Sequence, residues 1–289
     1  MIKKGFSHIS ILFLCALSIL PLPLLHFLAR LLYYPFYYVI GYRKKVVREN
    51  LEKSFPEKNK VEILKIEKQF YKYFCDLVFE IVKMTTISKN ELSKRVKFSN
   101  LEQIEEYFKE GKSVLACTGH YGNWELCMLA LGMSLSAPEY VIYKPLSNKY
   151  FEKWFLKFRT RYGNVFVSMR QTFRMLVATK DFPTMFCFAS DQTPTRDEAR
   201  YNLHFLNQTT AVLLGLEKIA IQTNRPVFYF DVTLKKRGYY EVSCLPLCLD
   251  PSKSKEYEIT QSFFSSLETT ITKSPAFWLW SHRRWKLNR

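Results

Sequence analysis

A histidine and a glutamate stand five positions apart in the segment Thr118–Glu125, which reads TGHYGNWE. The pair could support general-base catalysis, with Glu125 accepting a hydrogen bond from one ring nitrogen of His120 and the other nitrogen left free to take a proton. A hydroxyl nucleophile needs such help because its proton is poorly acidic at neutral pH. The same spacing also suits an ordinary structural hydrogen bond, but two glycines and Trp124 give this segment a tight turn and an aromatic wall. The segment therefore predicts a catalytic loop.

The elements on either side of this loop would hold His120 at the edge of a sheet. Residues 113–118 (SVLACT) form a short apolar run between two glycines, as expected of a buried strand. His120 would then follow the carboxyl end of a strand, where ligands bind in open α/β sheets. Glu125 falls in the first turn of the next helix, where the helix dipole favours its ionised form.

Short apolar runs alternate with amphipathic stretches along the chain, which predicts an α/β fold with a mixed central sheet flanked by helices. Strands are predicted at 113–118, 140–143, 165–167, 184–188, 227–234 and 239–245. Helices are predicted at 63–82, 124–135, 148–161, 170–179, 210–223 and 255–272. The last two strands flank Lys235–Gly238 (KKRG), a hairpin turn with Gly238 at a positive φ, and this antiparallel pair makes the sheet mixed.

The amino terminus predicts a membrane-anchoring hydrophobic helix. No charged residue lies between Ile9 and Leu25, and apolar and aromatic residues continue to Ile40. Pro21 and Pro23 fall where a straight helix would continue, so a full span and a kinked helix lying in one leaflet both stay open. A cleaved signal peptide is the alternative, but no small-x-small cleavage site follows.

Basic residues follow the apolar segment as the cluster Tyr42–Lys45 (YRKK), which favours contact with anionic headgroups on the cytoplasmic side. The predicted division is a membrane anchor with its basic juxtamembrane segment at 1–45 and one catalytic domain at 46–289. The expected location is the inner (cytoplasmic) membrane, with the catalytic domain facing the cytoplasm.

The charge balance predicts an anionic partner. Lys and Arg number 43 against 26 Asp and Glu, a formal net charge of +17. Nucleic acid, an anionic membrane leaflet and an acidic carrier protein would all suit that charge. The 24 Phe and 18 Tyr residues suit a membrane–water interface, and with the apolar segment they favour a membrane over nucleic acid.

The seven cysteines lack paired CxxC spacing, so the sequence supports neither a disulfide framework nor a metal site. They are interpreted as core thiols in a reducing compartment. Cys117 lies three residues before His120, but its place in an apolar run argues for burial rather than for a nucleophile.

The segment TGHYGNWE resembles the histidine–acidic motif of the late lipid A acyltransferases, the lauroyl and myristoyl transferases of lipopolysaccharide synthesis. Further segments resemble later parts of the same family in the same order. They are RENL at 48–51 with SFPE at 54–57, YKP at 143–145, Arg159 with RYG at 161–163, Asp191–Gln192, and Pro275 with WLWSHRRWK at 278–286. The resemblance covers most of the chain.

This resemblance implies transfer of a fatty acyl group from an acyl carrier protein thioester to a hydroxyl of a lipid A precursor, without a metal. No cofactor is implied beyond the phosphopantetheine that carries the donor acyl group. By the same resemblance His120 is the base, Glu125 is its partner, and Arg159 is a third catalytic candidate. An arginine there could hold a lipid phosphate or stabilise a developing oxyanion.

Four other positions in the matched segments are candidates for substrate binding: Asn123, Lys144, Arg161 and Asp191. Asp191 follows the predicted strand that ends at Phe188, which places it at the same sheet edge as His120. There it would hydrogen-bond the site or cap a turn.

Two other functions stay open. An acyltransferase acting on a glycerolipid, an aminolipid or a glycosylated phospholipid would use the same chemistry. A membrane-bound nucleic-acid-binding protein would suit the charge, but it would explain neither the anchor nor TGHYGNWE. The sequence departs from the family after Asp191–Gln192, where it reads TPTR at 193–196, so acyl-chain length and acceptor identity are left open.

Overall fold

The sheet at the centre of the molecule is mixed, as the sequence predicts. The computed structural model describes residues 2–288, apart from the side chains at 2–4, 6 and 288. A seven-stranded sheet has the order β1-β9-β8-β2-β5-β3-β4, and β6 pairs with β7 in a separate hairpin. The strands are β1 Val96–Ser99, β2 Val114–Thr118, β3 Glu139–Tyr143, β4 Val165–Ser168, β5 Met185–Ala189, β6 Asn202–Phe205, β7 Gln208–Ala211, β8 Val227–Lys236 and β9 Tyr239–Cys248. Only β8 and β9 are antiparallel neighbours within the large sheet.

Helices cover both faces of this sheet and build the amino-terminal part. They are α1 Ile2–Ile19, α2 Leu22–Tyr34, α3 Lys44–Ser54, α4 Lys60–Lys83, α5 Lys89–Arg95, α6 Glu102–Lys109, α7 Trp124–Leu131, α8 Lys149–Arg159, α9 Thr172–Ala178, α10 Gly215–Thr223 and α11 Glu258–Lys273. A π-helical segment, Pro35–Ile40, continues α2, and 3₁₀ turns occur at Met169–Gln171, Pro251–Lys253, Pro275–Phe277 and Lys286–Asn288.

All six predicted strands are present, the four-residue β4 among them, but the sequence did not reveal three other short strands, β1, β6 and β7. It did not predict β1 or β6, and its helix at 210–223 was wrong at the start, where β7 extends to Ala211 and the helix begins only at Gly215. These strands have only four residues each. Such short segments carry too little alternation to be distinguished from neighbouring helix or loop.

The helix α4 packs against α1, α2 and α3 in the amino-terminal half. It begins with a capping box, in which Asn59 accepts from the backbone of Glu62 and the Glu62 side chain accepts from the backbone of Asn59. Its buried positions include Ile63, Ile66 and Phe70, at the spacing of one helix face, so the predicted helix at 63–82 is confirmed.

The amino-terminal apolar segment is divided at Pro21 into helices of 18 and 13 residues. Within residues 2–288, no helix is both long and apolar enough to cross a bilayer. The membrane-spanning form of the predicted anchor is therefore not supported. A proline at this position has no backbone N–H for a continuous helix, which explains the break.

The same segment is packed on one side and exposed on the other. Leu25, Ala29, Tyr33 and Tyr37 are buried among the core residues, and Tyr37 packs against Tyr71 of α4 at 5.2 Å between ring centroids. The opposite side exposes apolar side chains, among them Ile9, Leu12, Phe13, Phe27, Leu31, Val39 and Ile40. The division predicted at residue 45 stays a prediction.

Candidate active site

His120 and Asp191 meet where two neighbouring parallel strands end. His120 lies two residues after β2 and Asp191 two residues after β5, and Thr118 is in register with Ala189. Nδ1 of His120 lies 2.5 Å from one carboxylate oxygen of Asp191, and the backbone N of His120 donates to the other oxygen at 2.8 Å. The predicted placement of both residues at one sheet edge is thus what the structure shows.

Asp191 is held ionised in a buried position. Only 2% of the residue is exposed, and Nε1 of Trp278 adds a further hydrogen bond to the carboxylate at 2.8 Å. Burial alone would raise the pKa of Asp191, but the charge on His120 and the hydrogen bonds from His120 and Trp278 outweigh it and lower that pKa to about 2. The carboxylate is therefore negative at any physiological pH.

His120 is oriented with its second nitrogen away from Asp191. Burial lowers the pKa of His120, but the carboxylate of Asp191 outweighs burial and raises it above the ordinary value. With Nδ1 donating to the carboxylate, Nε2 is the acceptor, and the amide nitrogen of Gln192 lies 3.0 Å from it. The ring of Trp124 packs edge-on against the imidazole at 4.9 Å.

Glu125 does not hold the imidazole, and this corrects the predicted pairing. Its carboxylate binds Arg159 bidentately, through Nε of Arg159 at 2.8 Å and through a second, shorter contact from Nη2. The guanidinium also lies over the rings of Phe155 and Phe166, at 4.8 and 5.2 Å. In the first turn of α7 the Glu125 side chain reaches α8, whereas Asp191 comes directly from the strand beside β2.

Glu125 and Arg159 still lie close enough to act on His120 electrostatically. The carboxylate of Glu125 raises the pKa of His120 and the guanidinium of Arg159 lowers it, both after the larger effects of burial and of Asp191. The two predicted catalytic residues therefore form a mutually neutralising ion pair beside the His120–Asp191 pair. Their side chains are 13% and 14% exposed.

Asn123 is a positioning residue, which corrects the prediction that it binds substrate. The residue is fully buried and caps α7, with its side-chain oxygen accepting from the backbone N of Leu126 at 2.9 Å. Its amide donates to the buried carboxylate of Glu80 at 2.9 Å. Glu80 also accepts from the hydroxyl of Tyr240 at 2.7 Å and lies 2.9 Å from Nε2 of His26.

Both glycines of the loop are required by close packing. A Cβ atom at Gly119 would lie 2.5 Å from Cδ1 of Leu267, and one at Gly122 would lie 2.7 Å from Cγ1 of Val232. Gly122 also has φ +56°, in the left-handed region. The tight turn read from the sequence therefore reflects the close approach of this loop to α11 and β8.

Lys144 and Arg161 lie apart from this cluster of contacts. Lys144 directly follows β3 and is exposed at the same sheet edge. Arg161 donates to the backbone oxygens of Met84 and Thr85, at 2.9 and 2.7 Å, and so ties down the end of α4. These contacts of Arg161 are structural. Among the described residues, neither Lys144 nor Arg161 forms a hydrogen bond with His120.

The carboxyl-terminal segment contributes Trp278 to the site, which was not predicted from the sequence. The backbone N of Gly122 donates to Phe277 and that of Leu279 donates to His120, so this segment runs alongside the catalytic loop. Trp278 holds Asp191 from there. The resemblance had marked residues 278–286 as a family segment, which was the available signal for Trp278.

His282 packs against the same loop edge. Its Nε2 accepts from the backbone N of Thr193 at 3.2 Å. Burial lowers the pKa of His282 to about 4, so the ring is neutral at physiological pH. The ring therefore packs against Thr193 and contacts neither His120 nor Asp191 through a hydrogen bond among the described residues.

Cys117 is the cysteine nearest to His120 in the sequence. Cys117 is buried, and burial raises the pKa of its thiol, which keeps it protonated. Across residues 2–288, no group of three or more His, Cys, Asp or Glu side chains is placed to hold a metal ion.

A cavity lies next to Ser190, the residue before Asp191, and its walls combine apolar side chains with the charged residues Asp197, Glu198, Arg200 and Lys218. It has a volume of about 520 Å³ and lies at the carboxyl ends of β3 and β5. Ile142, Phe188 and Ser190 line it from those strand ends, and Leu216 and Ile219 line it from α10. The cavity therefore lies at the sheet edge that also carries Asp191.

A His–Asp pair at the carboxyl edge of an α/β sheet is an arrangement that can serve general-base chemistry, and it lies where ligands bind in such sheets. A family model described as bacterial lipid A biosynthesis acyltransferase matches residues 1–287, so the chain belongs to that family and is an acyltransferase. A curated "Lipid A biosynthesis acyltransferase" of Haemophilus influenzae is 22% identical over 250 residues, covering 83% of this chain and 76% of the relative. The resemblance seen in the sequence is confirmed.

Proposed function

We propose that the protein transfers a fatty acyl group from an acyl carrier protein thioester to a hydroxyl of a lipid A precursor, with His120 as general base and Asp191 as its partner. The observation that carries this proposal is the contact between Asp191 and Nδ1 of His120, which leaves Nε2 as the acceptor. The family membership of the chain supports the acyl-transfer chemistry and the lipid A pathway.

In the proposed reaction, Nε2 of His120 takes the proton of the acceptor hydroxyl as its oxygen attacks the thioester carbonyl. Asp191 stabilises the imidazolium that forms. The tetrahedral intermediate then expels the thiolate of the carrier, and the imidazolium returns the proton to that sulfur. The ester forms, the thiol is released, and His120 is neutral again.

Arg159 is proposed to stabilise negative charge during transfer, and Glu125 to hold Arg159 in place. A bidentate carboxylate fixes the plane of a guanidinium while leaving some of its five donors free. The remaining N–H groups of Arg159 would then donate hydrogen bonds to the developing oxyanion or to a phosphate of the acceptor. This assigns Glu125 a positioning role in place of the predicted contact with the imidazole.

The cavity beside Ser190 is proposed to receive the donor acyl chain. Its volume of about 520 Å³ is within the range of small-molecule sites, and Ile142, Phe188, Leu216 and Ile219 give it apolar walls. In this proposal the acyl chain occupies the cavity and its carbonyl lies at His120.

The exposed apolar side of α1, α2 and the π-helical segment is proposed to lie in the interface of the inner membrane, with the catalytic site facing the cytoplasm. Leu12 is 70% exposed and Val39 is 82% exposed, which is unusual for a surface in water. The cluster Arg43–Lys45 follows directly and is proposed to contact the anionic membrane surface.

The test is acylation of a purified lipid A precursor by acyl carrier protein thioester, read as a gain of one acyl chain in the product mass. His120→Ala should lose activity, whereas His204→Ala, at an exposed histidine on β6, should keep it. Glycerolipid, aminolipid and glycosylated phospholipid acceptors belong in the same assay. Transfer to one of them in preference to the lipid A precursor would replace the proposed acceptor.

A further inference from the structure

Six cationic side chains surround two adjoining cavities next to the carboxyl-terminal segment. The cavities have volumes of about 510 and 590 Å³ and share Val46, Glu49 and Arg283 in their walls. Among the residues that the structure describes, Glu49 is the one acidic residue that lines them. The six cations, which we call the basic groove, are Arg43, Lys44, Lys45, Lys53, Arg283 and Lys286.

Of the six cations of the basic groove, only Lys45 approaches an acidic side chain among the described residues. Among the residues the structure describes, the side chains of Lys53, Arg283 and Lys286 form no ion pair. Lys45 approaches Glu49 only at 3.9 Å, with the lysine side chain 90% exposed. A cluster of like charges around a concavity raises the local positive potential and favours an anion there.

The wall of the basic groove is firmly connected to the candidate active site. Asn50 donates to the backbone oxygens of Trp280 and His282, at 2.9 and 3.0 Å, and Arg43 donates to that of Ser281 at 2.9 Å. The same segment carries Trp278, which binds Asp191. A ligand seated in the groove would therefore lie against the segment that supports the catalytic pair.

The basic groove also directly follows the exposed apolar segment along the chain. Val39 and Ile40 are 82% and 64% exposed, and Arg43 comes three residues after Ile40. A ligand with phosphate on its headgroup and hydrocarbon below it would match both surfaces at once. The two cavities are each of the size that holds a small headgroup.

We propose that the basic groove binds the phosphate groups of a phosphorylated glycolipid, the acceptor of the reaction, through Lys53, Arg283 and Lys286. This inference rests on the proposed function, because it assigns a headgroup site to that acceptor. Charge-assisted hydrogen bonds from Lys and Arg suit phosphate oxygens, and two adjoining cavities allow more than one phosphate to be held.

The test compares Lys53→Gln, Arg283→Gln and Lys286→Gln, combined in one variant, with a control that removes the same charge elsewhere. The control combines Lys109→Gln, Arg174→Gln and Lys180→Gln, three exposed cations on or next to α6 and α9. Both variants should unfold at the temperature of the wild type within a few degrees. KM is measured for a phosphorylated lipid A precursor, for the same lipid after phosphatase treatment, and for the acyl carrier protein thioester.

The groove variant should raise KM for the phosphorylated precursor by about tenfold or more, with little change in kcat. Its KM for the dephosphorylated lipid and for the carrier thioester should stay within about twofold of the wild type, and the control variant should change none of them. A rise in KM for the carrier thioester alone would assign the groove to the carrier protein and overturn the proposal. Equal use of both lipids by the wild type would also overturn it.

A binding measurement separates this proposal from the proposed function. Vesicles containing the phosphorylated precursor should retain the wild type and the control variant more strongly than vesicles of phosphatidylglycerol at equal surface charge. The groove variant should lose that preference, and inorganic phosphate should weaken it in the wild type. Retention of the preference by the groove variant would refute the groove assignment, whether or not the enzyme acylates this lipid.

Discussion

Asp191 receives two hydrogen bonds from a single residue, His120, which contacts it through Nδ1 at 2.5 Å and through its backbone N at 2.8 Å. The two residues are 71 positions apart, and the parallel pairing of β2 with β5 brings them together. Because one carboxylate holds both the ring and the backbone of His120, it fixes the ring relative to the loop. Asp191 therefore orients the base and also fastens the loop that carries it.

The first prediction concerns this pair. His120→Ala should lower acyl transfer by about 10²–10⁴-fold, the usual range for a lost general base. Asp191→Asn should cause a comparable loss, because a neutral amide stabilises the imidazolium less and can impose the wrong tautomer. The double variant should be little worse than His120→Ala, since the two act as a unit. The measurement is single-turnover transfer from the carrier thioester by folded variants, and additive losses would show that the residues act independently.

The second prediction concerns pH. A base must be neutral, and Asp191 raises the pKa of His120 above its ordinary value of 6.5. The acid limb of kcat/KM should therefore fall at a pH above 6.5, with activity rising as the pH increases through the pKa of His120. In Asp191→Asn the residual activity should show this limb at lower pH, because the carboxylate that favours the imidazolium is gone. An unchanged limb in that variant would exclude His120 as the group that titrates.

The third prediction separates the structural role of Glu125 and Arg159 from their catalytic role. Glu125→Gln alone should destabilise the fold by about 3 kcal/mol, because it leaves the mostly buried guanidinium of Arg159 without its counter-charge. The double variant Glu125→Gln with Arg159→Met should recover much of this stability, but its transfer rate should stay low. Urea unfolding and acyl transfer on the same preparations provide the comparison. Recovery of activity together with stability would mean that the pair is only structural.

How far the sequence predicts the site depends on which contacts are local. The strand, the loop and the helix could be predicted because they follow one another directly in residues 114–131. The sheet edge shared by His120 and Asp191 could also be predicted, since both follow apolar strand runs. The choice between Glu125 and Asp191 as the ring partner could not, because it depends on which carboxylate the pairing of β2 with β5 brings nearest.

The role of Asn123 also could not be predicted fully from the sequence. A polar residue in a catalytic loop suggests contact with substrate, but the structure buries it between the first turn of α7 and Glu80. Glu80 lies 43 residues earlier, on α4. The sequence around Asn123 does not indicate that its amide contacts a buried carboxylate from a distant helix. Its capping role, in contrast, could be predicted from its position directly before α7.

The fourth prediction follows from this placement of Asn123. Asn123→Ser should keep the cap of α7 and lose the bond to Glu80, whereas Asn123→Ala should lose both. The difference in free energy of unfolding between them should be about 1 kcal/mol, the usual contribution of an N-cap. Both should lower transfer, because the loop that carries His120 loses its attachment to α4. Equal stability of the two variants would show that the capping bond contributes nothing.

The amino-terminal helices have a buried side and an exposed side, which should respond differently to change. Deleting residues 1–40 would remove Leu25, Tyr33 and Tyr37 from the core, so it should unfold the protein as well as release it from membranes.

The last prediction therefore concerns polar substitutions on the exposed side of these helices. The variant combining Leu12→Ser, Phe27→Ser, Leu31→Ser and Val39→Ser should keep its unfolding temperature within a few degrees, since these side chains face outwards. It should dissociate from vesicles at high salt, where screening removes the attraction of the basic groove, while the wild type stays bound. As a control, Leu25→Ser should destabilise the fold by about 2–5 kcal/mol because Leu25 is fully buried. Persistent binding of the fourfold variant at high salt would place the membrane-contacting surface elsewhere on the protein.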